Sequence, residues 1–405
     1  MVKSHKYLRL TGLALVLLFL GTLALTGCGK ETAPDKKGTE AAKVVKIGFI
    51  GPLTGPNAYQ GVGARNAFDL AIKQANESKE FPYKIEMVAM DDASNPGTGA
   101  SAATKITSDN DVVAASGHWN SPVAEATIPI FKNAKIPFII WGAISPKLTS
   151  AENYPIVTRV APTSVQENIP LAKFAVDERG YKKWAVVSDT SVYGKNNTAA
   201  WKDEISKRSG AAIVSVDEIQ VGQTDFRPIL TKIKNLNPEA LYFGGVVMEG
   251  ALIKRQMSEM GMKIPLFAIS GIGSEKYVEA AGQEQAEGTV SSKPGKDINQ
   301  LPGGQKFMDA YQKAGYSEPY GVYGPYAYDA ANVILAALKK VGPDRAKLID
   351  AIAKIEYPGL LGTTKFDQFG QTTNVAATIL VVQDGNWVPW ESSEYAAGKR
   401  TLPKK

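Results

Sequence analysis

The chain has 405 residues, with 46 Lys and Arg against 40 Asp and Glu, a formal net charge of +6. So small an excess gives no footing for a nucleic-acid partner. One cysteine leaves no pair for an internal disulfide, and two histidines give little from which to build a metal cluster.

Lys3, Lys6 and Arg9 precede an apolar run from Leu13 to Leu25, which ends in Leu25-Thr26-Gly27-Cys28. A basic start, a short apolar middle and small residues before a processing point form a secretory signal. The run is too short to span a membrane without tilting, since a span needs roughly 20 apolar residues. The Leu-Thr-Gly-Cys ending resembles a bacterial lipobox. That resemblance implies cleavage before Cys28 and lipidation of its thiol. The mature chain would then be tethered to a bacterial membrane outside the cytoplasm, in the periplasm or on the outer cell surface. Cleavage removes 27 residues and leaves 378, with 43 basic residues against 40 acidic ones. A chain of that length suits two domains of about 150–200 residues each. Residues 28–43, small, charged and Pro-containing, read as a solvated tether.

Order is expected from Val44 onward. Val44–Ile50 is a strand, followed by a Gly/Pro loop (Gly51-Pro52-Leu53-Thr54-Gly55-Pro56-Asn57) and a helix with Val62, Ala67, Leu70, Ala71 and Ile72 near one face. Strands follow at Ile85–Met90, Val112–Ser116 and Pro137–Trp141, separated by helix-length segments. Short apolar strands alternating with helices predict a parallel sheet covered on both faces. A second series begins after Ile156–Val160. Ser164-Val165-Gln166-Glu167 has capping-box spacing and predicts a helix start. Strands are expected at Trp184–Asp189, Ala212–Ile219, Ala240–Gly245 and Pro265–Ser270, with a helix to about Lys207. The two series share one unit: strand, loop with an aromatic and glycines (Tyr59, Gly61; Tyr193, Gly194), helix, strand ending in acids. They predict two lobes of similar α/β design. Helices at Phe307–Ala314, Tyr326–Lys340 and Arg345–Ile355 come next, then a hairpin turning at Asp384-Gly385-Asn386.

Catalytic machinery is sparse. His5 lies in the leader, and His118 alone makes no metal site, so a structural role is the simpler reading. Gly61-Val62-Gly63 lacks the third glycine of a dinucleotide loop and reads as helix packing. No phosphate loop and no Gly-x-Ser-x-Gly elbow occurs. Asp91-Asp92 allows an acid/base pair, but acids at a strand's carboxyl end more often cap loops. What recurs is a run of small polar and aromatic residues after strands: Gly117-His118-Trp119-Asn120-Ser121-Pro122 and Trp141-Gly142-Ala143-Ile144-Ser145-Pro146. Ligands of open parallel sheets bind beyond the strands' carboxyl ends. A helix beginning near Ser121 offers free N–H groups to a ligand carboxylate, with Trp119 and Trp141 as walls. Core burial of both tryptophans is the competing reading.

These features together resemble the leucine/isoleucine/valine-binding class of type I periplasmic substrate-binding proteins, which serve ABC importers. The carrying residues are the lipobox, Ile47–Pro56, Asp91-Asp92, Gly117–Ser121, Tyr193-Gly194, Thr224-Asp225-Phe226 and Gly244-Gly245. The resemblance spans about residues 44–390 and implies an α/β, two-lobed fold. Each lobe is a mostly parallel sheet flanked by helices, and the lobes are joined by crossings near Ala161-Pro162, Ser291–Pro294 and Gly362-Thr363. Lobe 1 then comprises 44–161 and 293–362, and lobe 2 comprises 162–292 and 363–400. The resemblance further implies a ligand carboxylate at Ser121 and an ammonium at the Ala143 carbonyl and Ser145 hydroxyl, with Tyr193 reaching in from the far lobe. Tyr59 and Asn120 join these as candidate ligand residues. The family's ammonium-pairing carboxylate falls at Ser270, a departure that Glu249 is expected to repair unless the ligand lacks an amine. The implied protein is a monomeric binding protein and not an enzyme, without cofactor or metal. Its partners are permease subunits and a small ligand, a branched-chain or related amino acid. An aromatic or other amine-free carboxylate is the alternative ligand, a receptor-coupled sensor the alternative role, and a hydrolase using Asp91-Asp92 the remaining rival.

Overall fold

The computed structural model describes residues 44–374 and 376–403, so the leader, Cys28 and the tether lie outside it. The first series folds as β1 (Val44–Gly51), α1 (Ala58–Ser78), β2 (Lys84–Asp91), α2 (Pro96–Ser108), β3 (Val112–Ser116), α3 (Ser121–Ala134), β4 (Phe138–Ile140) and β5 (Val157–Arg159). The five strands form one parallel sheet in the order β2-β1-β3-β4-β5. Val112–Ser116 is buried at every position, as a strand covered on both faces requires. Local chemistry sets the helix starts. Asn95 caps α2 by accepting the amides of Gly97 and Thr98, with Pro96 in the first turn.

The chain then crosses to the second lobe: α4 (Ser164–Ala172), extended by a π-helical turn at Lys173–Glu178, then β6 (Lys183–Asp189), α5 (Val192–Ser206), β7 (Ala212–Ile219), α6 (Arg227–Asn235), β8 (Ala240–Gly244), α7 (Val247–Glu259), β9 (Leu266–Ile269), α8 (Glu275–Ala281), α9 (Gln283–Ala286) and β10 (Val290–Pro294). It returns to the first lobe for α10 (Gly304–Lys313), α11 (Gly324–Val341), α12 (Arg345–Ala353) and the ribbon β11 (Tyr357–Gly359) and β12 (Gly362–Thr364). It ends in the second lobe with β13 (Ala377–Gln383) and β14 (Asn386–Pro389). The second sheet has the order β14-β13-β10-β9-β8-β6-β7, parallel except where β13 meets β10 and β14. The final hairpin turns at Asp384-Gly385, both at positive φ (52° and 77°), as a tight two-residue turn demands.

The structure refines several sequence expectations. Residues 290–294 form a strand of the second sheet, so the return crossing comes at the end of the expected Ser291–Pro294 stretch, and the boundary expected at 292/293 falls inside β10. Gly362-Thr363 pairs with Tyr357–Gly359, and the last crossing comes after Thr364. The helix cap is shifted by one residue: Thr163 Oγ1 accepts the Gln166 amide, and Gln166 Oε1 accepts the Thr163 amide. Glu167 is thereby released from capping. The glycines of α1 are packing glycines. A Cβ on Gly61 would stand 1.9 Å from the Pro52 carbonyl oxygen, and one on Gly63 would stand 2.3 Å from that of Pro319.

The first and last crossings are pinned together at Arg159. Its buried guanidinium donates to the carbonyls of Ala143 (3.0 Å) and Ser145 (2.7 Å), to Thr149 Oγ1 (2.8 Å) and to Gln371 Oε1 (2.6 Å). Its main chain bonds Gly370 and Thr372, and Gln371 Nε2 donates to the Ala161 carbonyl. Arg159→Lys keeps one charge but not the planar fork. It leaves buried acceptors unpaired, at about 1–3 kcal/mol each. Urea denaturation should show a loss of about 3 kcal/mol or more; a variant as stable as wild type would mean the acceptors are satisfied otherwise.

Candidate functional site

The two lobes meet over a cavity of about 10 Å³, room for one water at most. Trp119, Asn120, Gly142 and Tyr323 line it from the first lobe, and Tyr193, Val246 and Gly271 from the second. Two side-chain bonds close the lobes on each other. Asn196 Nδ2 donates to Ser145 Oγ (2.8 Å), and Ser270 Oγ shares a hydrogen bond with Tyr323 Oη (2.8 Å). Backbone fits tightly here too: a Cβ on Gly271 would lie 2.2 Å from Tyr193 Oη and 2.6 Å from the Gly245 carbonyl oxygen.

One wall is the start of α3. The first intrahelical bond runs from the Ala124 amide to Asn120 O (3.0 Å), so the amides of Ser121 and Val123 precede it and Pro122 has none. Asn120 sits at the cap without capping, and its buried Oδ1 has no partner among the described residues. The Ser145 amide donates to Ser121 Oγ (3.2 Å). Free amides and the positive end of a helix dipole suit a carboxylate. Ala143 and Ser145 are buried beside it, with their carbonyls oriented by Arg159.

The strand-end acids are structural. Asp91 accepts the amides of Leu53 (2.7 Å), Thr54 and Ala93 (2.8 Å) and the Thr54 hydroxyl, which shapes the Gly/Pro loop and holds its carboxyl below the usual range despite burial. Asp92 Oδ2 meets His118 Nδ1 (2.8 Å), and His118 Nε2 meets Thr127 Oγ1 (2.9 Å), all three fully buried. The His118 relay therefore fixes the loop that carries Trp119 and Asn120. Among the described residues, no group of three or more His, Cys, Asp and Glu is arranged to hold a metal.

A two-lobed α/β frame is the arrangement that comparison with known proteins bears out. A family model described as periplasmic binding protein matches residues 44–386. The chain belongs to this family. It is 27% identical over 341 residues to the leucine-, isoleucine-, valine-, threonine- and alanine-binding protein of Pseudomonas aeruginosa, covering 84% of this chain and 90% of that one. Among solved structures it is similar to the isoleucine complex of the branched-chain amino acid transporter substrate-binding protein LivJ from Streptococcus pneumoniae. The TM-score there is 0.78 at 23% identity, over 85% of this chain and 98% of that one. It is similar also to a solute-binding protein of R. palustris in complex with benzoate, with a TM-score of 0.76 at 22% identity, over 86% and 95% of the two chains. Membership of this family makes the chain an extracytoplasmic binding protein rather than an enzyme.

Within this binding protein the predicted ligand residues divide. Trp119, Asn120 and Tyr193 reach the cavity; Ser121, Ala143, Ser145 and Ser270 are fully buried close behind it. Trp141 does not line it. Its ring stacks on Phe49 at 5.7 Å, its Nε1 donates to the Ile50 carbonyl, and it is wholly buried in the first lobe's core. Glu249 does not line it either: from α7's first turn its Oε1 accepts the Gly222 amide (2.8 Å). Tyr59 faces a separate recess of about 370 Å³ between the lobes, with Ser274, Lys293, Tyr320 and Trp387. The residue that sequence reasoning passed over is Glu167, wholly buried with Oε2 accepting the Ser270 amide (3.2 Å). The signal available for it was an acid on the same helix face as Leu171, hidden by its apparent capping role.

Trp119 is 6% exposed and packs in the same core cluster as Trp141, yet it also lines the cavity. Trp119→Ala should therefore lower stability by about 3 kcal/mol or more and also weaken ligand binding. Thermal melts with and without ligand separate the two effects; an unchanged melting temperature for the empty protein would contradict the core placement.

Proposed function

We propose that this protein captures a branched-chain or related amino acid for an ABC importer by closing its lobes over it. The observation that carries the reading is the cavity itself, built at α3's free amides and walled from both lobes. The Ser121 and Val123 amides with Ser121 Oγ would take the ligand carboxylate; Trp119, Tyr193 and Tyr323 would pack its side chain. The hinge is the set of crossings around Arg159 and Pro294, and the motion is rigid-lobe closure. A cavity of about 10 Å³ has to widen to admit any amino acid, so ligand replaces the lobes' contacts with each other. The aromatic walls also suit a flat carboxylate, and the benzoate complex of the R. palustris relative favours that second reading.

Native mass spectrometry of the purified protein, followed by titration with leucine, isoleucine, valine and benzoate, tests the assignment. A retained or titrated amino acid is expected. Benzoate binding without any response to the amino acids would favour the second reading.

We further propose a monomer held at the membrane through lipid on Cys28, on the strength of the lipobox and leader. Cys28→Ser should move the protein from the membrane fraction to the soluble extracytoplasmic fraction with an unchanged melting temperature. Retention on membranes after a salt wash would rule out the lipid anchor.

A further inference from the structure

Glu167 lies in the first turn of α4 with no exposed surface, and its Oε1 has no hydrogen-bond partner among the described residues. Its other oxygen accepts the Ser270 amide, directly before the cavity-lining Gly271. The groups that face it are Ser270, Tyr193 of α5, Tyr242 of β8, and Tyr323 and Tyr326 at α11 of the opposite lobe. All are neutral. Lys293 of β10 is turned to the separate recess near Asp297. The Arg159 guanidinium is committed to Ala143, Ser145, Thr149 and Gln371. A buried carboxylate with an open oxygen and no protein cation is costly unless a partner arrives.

We propose that Glu167 is the counter-charge for an ammonium on the ligand, so that the cleft selects zwitterionic amino acids over carboxylates without an amine. The inference rests on reading this cleft as the ligand site. It assigns α4 the role that resemblance placed at Ser270. In this chain Ser270 instead orients the acid through its amide. The arrangement is bipolar: α3's amides on one lobe for the carboxylate, Glu167 on the other for the ammonium. One zwitterion would thus bridge the two lobes, its carboxylate on one and its ammonium on the other.

The proton balance gives a readout independent of any variant. Burial pushes the Glu167 carboxyl up to about 8, with the Ser270 amide and hydroxyl opposing the rise. Near neutrality the closed empty form therefore holds a proton there, which an ammonium must displace. Affinity for an amine then rises with pH until that titration is complete, by up to about tenfold per unit. An amine-free carboxylate would prefer the protonated acid and bind more weakly as pH rises.

The experiment is calorimetry at about pH 6 and about pH 8 with matched probes: L-leucine against 4-methylpentanoate, and L-phenylalanine against 3-phenylpropanoate. Wild type, Glu167→Gln and Glu167→Asp are compared. The amine of a pair should be preferred by wild type, more so at the higher pH. Glu167→Gln should cost it about 100-fold and abolish the pH dependence, while Glu167→Asp retains the amine preference. Amino acids bound equally by wild type and Glu167→Gln would overturn the role of Glu167 and leave the importer reading standing. A preference for the amine-free probes, no binding of any probe, or an amine-free ligand retained through purification would overturn both. Should Glu167→Gln fail to fold, the wild-type pH profile alone decides: affinity for the amine that is flat or falling with pH overturns the proposal.

Discussion

The buried Arg159 guanidinium is the interaction on which the rest of the structure depends. No carboxylate neutralises it at contact distance among the described residues; its four bonds go to two main-chain carbonyls, a hydroxyl and an amide oxygen. Burial lowers its pKa to about 9, so it stays charged at neutral pH and its bonds are the strong, charge-assisted kind. Two of them aim the 143–145 loop, which carries groups the resemblance assigns to ligand. One holds Gln371, and with it the last crossing, against the first. A single side chain thus couples the geometry of the 143–145 loop to that of the two crossings.

A second constraint keeps the first lobe's site in place. Asp91 gathers the Gly/Pro loop after β1, and the Asp92–His118–Thr127 relay binds the loop after β3 to α3. An acid, a histidine and a hydroxyl in sequence would suggest nucleophilic catalysis if they met in an open cleft. Here all are without exposed surface, and Thr127 stands on the second turn of α3, packed inward. The chemistry of a relay serves rigidity, holding Trp119 and Asn120 at the cavity's edge.

Much of this fold was legible because parallel strands covered on both faces leave short apolar runs, as at 112–116 and 240–244, and because capping and turn chemistry is local, as at Asp384-Gly385. β10 escaped notice because Val290-Ser291-Ser292-Lys293-Pro294 carries polar residues that are buried by pairing with β9 and β13. Tryptophan placement was only half legible. Trp119 and Trp141 sit in similar loops, yet stacking on Phe49 draws Trp141 inward while Trp119 remains at the cavity. Glu167 was obscured by a one-residue shift: with Thr163 as the cap, Gln166 closes the box and Glu167 is left to accept the Ser270 amide. Glu249 satisfied the arithmetic of a missing charge but points to Gly222. Neither outcome can be read from spacing, because each depends on a main-chain amide distant in sequence, that of Ser270 for Glu167 and that of Gly222 for Glu249.

The bonds that hold the cleft shut, Asn196 to Ser145 and Ser270 to Tyr323, are made by groups at the proposed ligand site. Binding at the proposed site would be an exchange reaction: hydrogen bonds between lobes traded for hydrogen bonds to the guest, with little change in their number. Such trades are nearly neutral in free energy. Discrimination then falls to what the lobes cannot supply to each other, an apolar volume against Trp119 and charge at the cleft's two poles. A permease that reads only the closed outline would meet nearly the same shape from the self-bonded form, so its signal must lie in how long the lobes stay together rather than in the outline they present.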